Sequence, residues 1–133
     1  MRRIVLLLAI FASYAASAQG AEDFVGFLAR FRSDSAFRTS RVSFPLRVSI
    51  GSSCEEDVKK AKWGQTHFSK SFIIPLTIEQ LASEGLSQQI TEVSSGEVRI
   101  FHFREDADGY LITYTFRRNH GRWFLVRYED RSC

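Results

Sequence analysis

Cysteine and proline are scarce in this chain, with two of each in 133 residues. Two distant cysteines, Cys54 and Cys133, do not make a zinc site, which wants four closely grouped ligands. Long apolar runs are also missing. The longest, Ile4–Ala12, falls far short of the ~20 residues a permanent membrane helix requires. No HExxH, GxSxG, P-loop or paired-glycine fingerprint occurs, and no serine carries a local nucleophile motif. There is no internal repeat, low-complexity tract or linker. These absences remove the motif-bearing hydrolases, nucleotide-binding folds and metal centres, and leave no cofactor or metal to expect.

What is present starts with a leader. Met1-Arg2-Arg3 is basic, Ile4–Ala12 apolar, and Ala16-Ser17-Ala18 a small-residue cleavage site, the three parts of a secretory signal peptide. No cysteine follows them to take a lipid anchor. Residues 19–133 then form one domain. Removing Arg2 and Arg3 leaves 16 basic against 15 acidic residues, so net charge gives no case for a nucleic-acid partner. In an oxidising compartment, Cys54 and Cys133 are read most economically as one disulfide. It would close a loop of about 80 residues, worth roughly 4 kcal/mol on the chain-entropy model.

The stretch Asp108–Arg131 reads as a β-hairpin. Asn119-His120-Gly121 supplies a three-residue loop with glycine at the φ > 0 position. Setting Arg118 opposite Arg122 pairs Phe116 with Phe124, Tyr114 with Val126 and Ile112 with Tyr128, an apolar and aromatic face. The opposite face then carries Arg117, Trp123, Leu111 and Leu125. A slip of one residue would exchange the faces.

Upstream, Ala21–Arg32 places Phe24, Phe27, Leu28 and Phe31 on one helical stripe, with Glu22 and Asp23 in its first turn. Ser33-Asp34-Ser35 ends it and can cap a short turn carrying Phe37. Arg41–Ile50 alternates as a strand that Pro45 makes an edge or a bulge. Cys54–Lys62 is a charged short helix or loop, and Phe68–Pro75 a short strand. Thr77 and Gln80 have capping-box spacing for a helix ended by Gly85. Ser87–Val93 and Glu97–Arg104 are strands leading into the hairpin. The fold class is α+β: an N-terminal amphipathic helix packed on a curved, mainly antiparallel sheet.

The segment DFVGFLARFRSDSAFRTSRVSFPL, with Trp63, Tyr114-Thr115-Phe116 and Gly121–Val126, resembles a family of small secreted bacterial domains in the nuclear transport factor 2-like and cystatin-like superfamily. The similarity covers most of residues 19–133, and its N-terminal part is the more specific. It implies a cone-like roll with a pocket between helix and sheet. It implies no activity, because such a superfamily hosts enzymes, binding modules and interaction domains. The acid/base pair of its isomerase and dehydratase branches, a pocket Asp with a His or Tyr, has no counterpart motif here, which weighs against an enzyme.

The candidate residues follow. Trp123 with Arg117 and Leu125 makes an aromatic, arginine-edged surface of the kind found at protein interfaces, or an ordinary cation–π pair. Arg41 either binds an anion or pairs with Asp34 or with Glu129 and Asp130. His102, on the face of Val98 and Ile100, is a pocket base or an inert strand histidine. His67 lies close to Trp63, and His120 in the hairpin loop is a solvated turn residue. The expected protein is a non-catalytic, exported binder of the bacterial periplasm, meeting a protein partner or a second copy through its sheet face. The rivals are a small-molecule-binding protein or enzyme with a site between helix and sheet, using His102 or His67 with Tyr114, and an immunity protein that neutralises a toxin.

Overall fold

The computed structural model describes residues 21–51, 57–105 and 110–132. The leader and the Cys54–Cys133 bridge lie outside the described residues. Asp23 starts helix α1 (Phe24–Ser33) by accepting the Gly26 N–H at 3.0 Å. Phe27, Leu28 and Phe31 are buried beneath it, with Phe24 packed at their edge. Asp34 then caps α2 (Ser35–Ser40) through the Phe37 N–H at 3.0 Å, and Phe37 joins the same core.

Strands β1 (Val42–Gly51) and β2 (Val58–Trp63) follow, then helices α3 (Gln65–Ser71) and α4 (Ile78–Ser83). Strands β3 (Ser87–Ser94), β4 (Glu97–Phe103), β5 (Leu111–Asn119) and β6 (Arg122–Asp130) complete the chain. The six strands form one curved, unclosed sheet in the order β2-β1-β6-β5-β4-β3. The last four are an antiparallel meander, and β1 lies parallel to β6. The helices sit on one side, so the fold is α+β as the sequence implies. No helix among the described residues is long and apolar enough to cross a membrane.

Two upstream segments differ from expectation. The charged stretch expected as helix or loop becomes strand β2, whose only buried residue is Trp63. An outermost strand tolerates lysines on both faces because one side has no neighbour. Phe68–Pro75 is not a strand. Phe68 lies in α3, and Phe72 stacks on it at 4.4 Å from one turn further along. Of the two alternatives for Pro45 the bulge is the one present: it sits in an irregularity between Val42 and Arg47, and β1 is an inner strand. The capping box is present, with Thr77 and Gln80 bonded reciprocally at 2.9 and 3.2 Å.

The final hairpin is shifted from the expected register. Its loop has two residues, not three: Asn119 pairs with Arg122, and His120 and Gly121 have φ of 51° and 77°. Two successive positive φ values are the type I′ geometry that suits the twist of a hairpin. Phe116 therefore meets Leu125 instead of Phe124, and Arg117 meets Phe124. A bulge at Val126 restores alternation, so Tyr114 faces Tyr128 and Ile112 faces Asp130. On β5 the inward residues Ile112, Tyr114 and Phe116 are those expected. On β6 Trp123 and Leu125 replace Phe124 and Val126 inside.

Trp123 is thus sealed under α1, 5% exposed, with its ring 5.0 Å from Phe24. The expected exposed Trp123–Leu125 interface does not exist. Two substitutions test the register. Trp123→Ala should cost about 3–5 kcal/mol as a buried aromatic, whereas the half-buried Phe124→Ala should cost about 1 kcal/mol. Urea unfolding of both variants reads the difference, and equal costs would contradict this pairing.

Candidate functional site

The inner face of the sheet gathers the buried polar groups. Alternation along β4 turns Val98, Ile100 and His102 inward, and all three are buried. His102 lies opposite Ile112, and Tyr114 opposite Tyr128. The His102 ring meets Tyr114 edge-on at 5.4 Å, and Tyr114 lies 5.6 Å from Tyr128. Arg32, at the end of α1, donates from Nε to the Pro75 carbonyl at 3.1 Å.

The segment 72–76 closes this group off. Phe72 packs 5.8 Å from Tyr114 and 5.0 Å from Tyr128. The Tyr114 hydroxyl donates to the Ile73 carbonyl at 2.7 Å. His102, Tyr114 and Tyr128 line neither the clefts of the outer face nor the one beside α2 and α3. A cleft of about 740 Å³ opens on the helix side, between α2, Phe44 of β1 and α3, with Phe72 and Ile74 in its wall; aromatic rings separate it from His102.

His102 bonds through Nε2 to the Gln88 side-chain oxygen at 2.9 Å. That oxygen only accepts, so the proton sits on Nε2. Nδ1 is buried with no hydrogen-bond partner among the described residues; the Tyr128 hydroxyl lies near the Ile73 backbone, which eases its upward shift, without a well-formed hydrogen bond. Burial, with the Arg32 charge, pulls His102 down to about 4. Burial pushes the Tyr114 and Tyr128 hydroxyls well above the ordinary tyrosine value. General acid–base catalysis works best with groups near the working pH. Both ring types have moved away from it, in opposite directions. Among the described residues no group of three or more His, Cys, Asp or Glu could hold a metal.

Of the expected residues, the fold therefore unites His102 and Tyr114 and adds Tyr128, Arg32 and Gln88, which no motif marks. His67 is exposed on α3 and stacks on Trp63 at 4.7 Å, reaching the inner group only through Trp63 and Tyr128. Arg41 makes the structural ion pair, but with Glu22 at 2.6 Å, not with Asp34, Glu129 or Asp130. Burial pushes the Glu22 carboxyl up, but the bonds from Arg41 and the Trp123 amide outweigh it. The carboxyl ends below its ordinary value.

The outer face has another character. One cleft of about 760 Å³ is lined by Arg47, Lys60, Lys62, Arg127 and Arg131, with Glu129. A second, of about 360 Å³, shares Arg47 and Arg127 and adds Arg99 and Arg117 with Glu97. Glu97 accepts from Arg117 at 2.9 Å and from Arg99 at 3.4 Å. The Arg117 bond leads in holding that carboxyl below its ordinary value.

Two outcomes follow for the inner group. His102 is neutral when folded but titrates near 6.5 when unfolded. Its contribution is complete above that pH and is lost as the pH falls toward about 4, roughly 3 kcal/mol in all. Urea midpoints from pH 7.5 to 4 should show this slope, and His102→Gln should flatten it. Tyr128→Phe, which removes an unpartnered hydroxyl, should leave stability equal or higher. Tyr114→Phe should lose about 1 kcal/mol with the Ile73 bond. Thermal unfolding separates the two.

No family model matches the chain, and no curated protein does. Solved structures do. An NTF2-like protein from Bacteroides fragilis superposes with a TM-score of 0.64 at 19% identity, covering 85% of this chain. The chain matches 48% of that protein, about half its length. An NTF2-like protein from Shewanella baltica gives 0.43 at 15% identity, covering 82% of this chain and 90% of its own. A cystatin-like-fold protein from Nostoc punctiforme gives 0.41 at 14%, covering 82% and 87%. The helices laid on one side of a curved, mostly antiparallel sheet are accordingly an NTF2-like fold.

Proposed function

We propose that the chain is a non-catalytic binding module, exported to the bacterial periplasm, that meets a protein partner through the outer face of its sheet. The observation that carries this reading is the plugged interior. Phe72 and the Tyr114–Ile73 bond cover His102 and the two tyrosines. The His102 and tyrosine protons lie far from useful acidities. Binding is left to the surface, and the clefts of the outer face carry its charge. The leader supports export. Toxin neutralisation by a periplasmic immunity protein is one form such binding takes.

One observation favours a second reading, a small-molecule site opened by displacing segment 72–76. His102 Nδ1 and the Tyr128 hydroxyl are buried and unpartnered among the described residues, and a ligand could satisfy both. The two readings part under one experiment. The tagged full chain, expressed in its bacterium, should appear in the periplasm with the mass of a chain starting at Gln19. Cross-linked partners should persist in the His102→Gln, Tyr114→Phe double variant. Retention of Met1 in the cytoplasm overturns the export half. Loss of the partner in a double variant with an unchanged circular dichroism spectrum overturns the surface half in favour of the pocket.

A further inference from the structure

The outer face carries a row of cations set directly opposite one another across neighbouring strands. Lys62 lies opposite Arg47, Arg47 opposite Arg127, Arg127 opposite Thr115, and Thr115 opposite Arg99. The first three are cations on consecutive strands, which run about 4.8 Å apart. Like charges set directly opposite one another destabilise a sheet. Compensation is thin: Glu129 approaches Arg127 only to 3.8 Å, and Glu97 is shared between Arg99 and Arg117. Arg47 and Lys62 have no ion pair among the described residues.

The imbalance is local. The two outer clefts hold seven cations and two carboxylates, +5. The whole chain is +3, so the rest of it is −2. Local arrangements that oppose stability without structural return are where functional sites are expected. A second copy cannot cover this face symmetrically, since it would set +5 against +5. A flat bilayer does not follow a groove of about 760 Å³. A single-stranded nucleic acid wants aromatic platforms, and that groove has no aromatic side chain in its lining. Guanidinium groups beside lysines in a concave groove suit carboxylates carried on a chain.

We propose that the row Lys62–Arg47–Arg127 is the docking site for an acidic segment of a protein partner. The segment's carboxylates take the places that no acid of the described sheet fills. This deepens the binding-module reading and rests on it.

The test uses a fluorescein-labelled decaglutamate peptide and the purified chain, read by anisotropy. In about 0.15 M salt the peptide should bind, and an Arg47→Gln, Lys62→Gln variant should weaken it by about ten-fold or more. Lys59→Gln, on the same strand but outside the groove lining, should change it by less than about two-fold. The double variant should also unfold at a higher temperature than the parent, because it relieves the repulsion. That readout would not move for an ordinary solvated face. No binding of the peptide, an equal loss with Lys59→Gln, or no rise in unfolding temperature overturns the proposal. So does an oligonucleotide or a phosphatidylglycerol vesicle that displaces the peptide at lower anion concentration. If the double variant still cross-links its partners, this site fails while the binding-module reading stands. If neither protein cross-links any, that reading fails itself.

Discussion

Glu22 joins three separated parts of the chain, and the placement of most side chains discussed above depends on that junction. One carboxylate oxygen accepts from Arg41 at 2.6 Å and from the Trp123 amide at 3.0 Å. The Glu22 carbonyl takes the Trp123 indole N–H at 3.0 Å, and the Glu22 amide donates to Gly121 at 2.8 Å. The Arg41 carbonyl accepts the Leu125 amide at 2.8 Å. The start of α1, the entry to β1 and the turn of the last hairpin are tied within a few residues. Charge-assisted bonds in a partly buried setting are among the stronger ones available. This knot selects which face of β6 points inward at its beginning.

The consequence runs along the strand. With Trp123 and Leu125 held inside, strict alternation would send Arg127 into the core next. The bulge at Val126 prevents it. One extra residue turns Arg127 outward to meet Arg47 and Thr115, and turns Tyr128 inward to meet Tyr114. The buried aromatic group and the exposed cation row are therefore products of one irregularity. Moving the bulge by one position would bury a guanidinium beside Tyr114, at a cost of several kcal/mol.

This also explains what could be read from the letters. Helix α1, the Asp34 cap, the Thr77–Gln80 box and the β3–β6 meander are local patterns, legible because their periodicity and caps are short-range. The inward set on β5 was legible for the same reason. The β6 register was not. Alternation is symmetrical under a one-residue slip, and Trp123 and Phe124 are equally good core residues. What decides between them is Glu22, about a hundred residues away. The β2 strand was hidden because an outermost lysine-rich strand has no burial pattern to show. His102 was visible as a strand histidine, but Gln88, Arg32 and Tyr128 carry no motif and are assembled only by cross-strand pairing and segment 72–76.

The two faces finally answer different physical demands. Inside, Tyr114 is committed to Ile73 and His102 Nε2 to Gln88, and burial favours the uncharged forms of His102 and Tyr128. Groups fixed in that way contribute to specifying the fold, and through His102 that contribution depends on pH. Outside, Lys62, Arg47 and Arg127 are solvated and lie closer together than stability favours. Free energy released on meeting a carboxylate is available there and scarce within. The asymmetric distribution of charge across one sheet is thus the feature on which the proposed choice of partner rests.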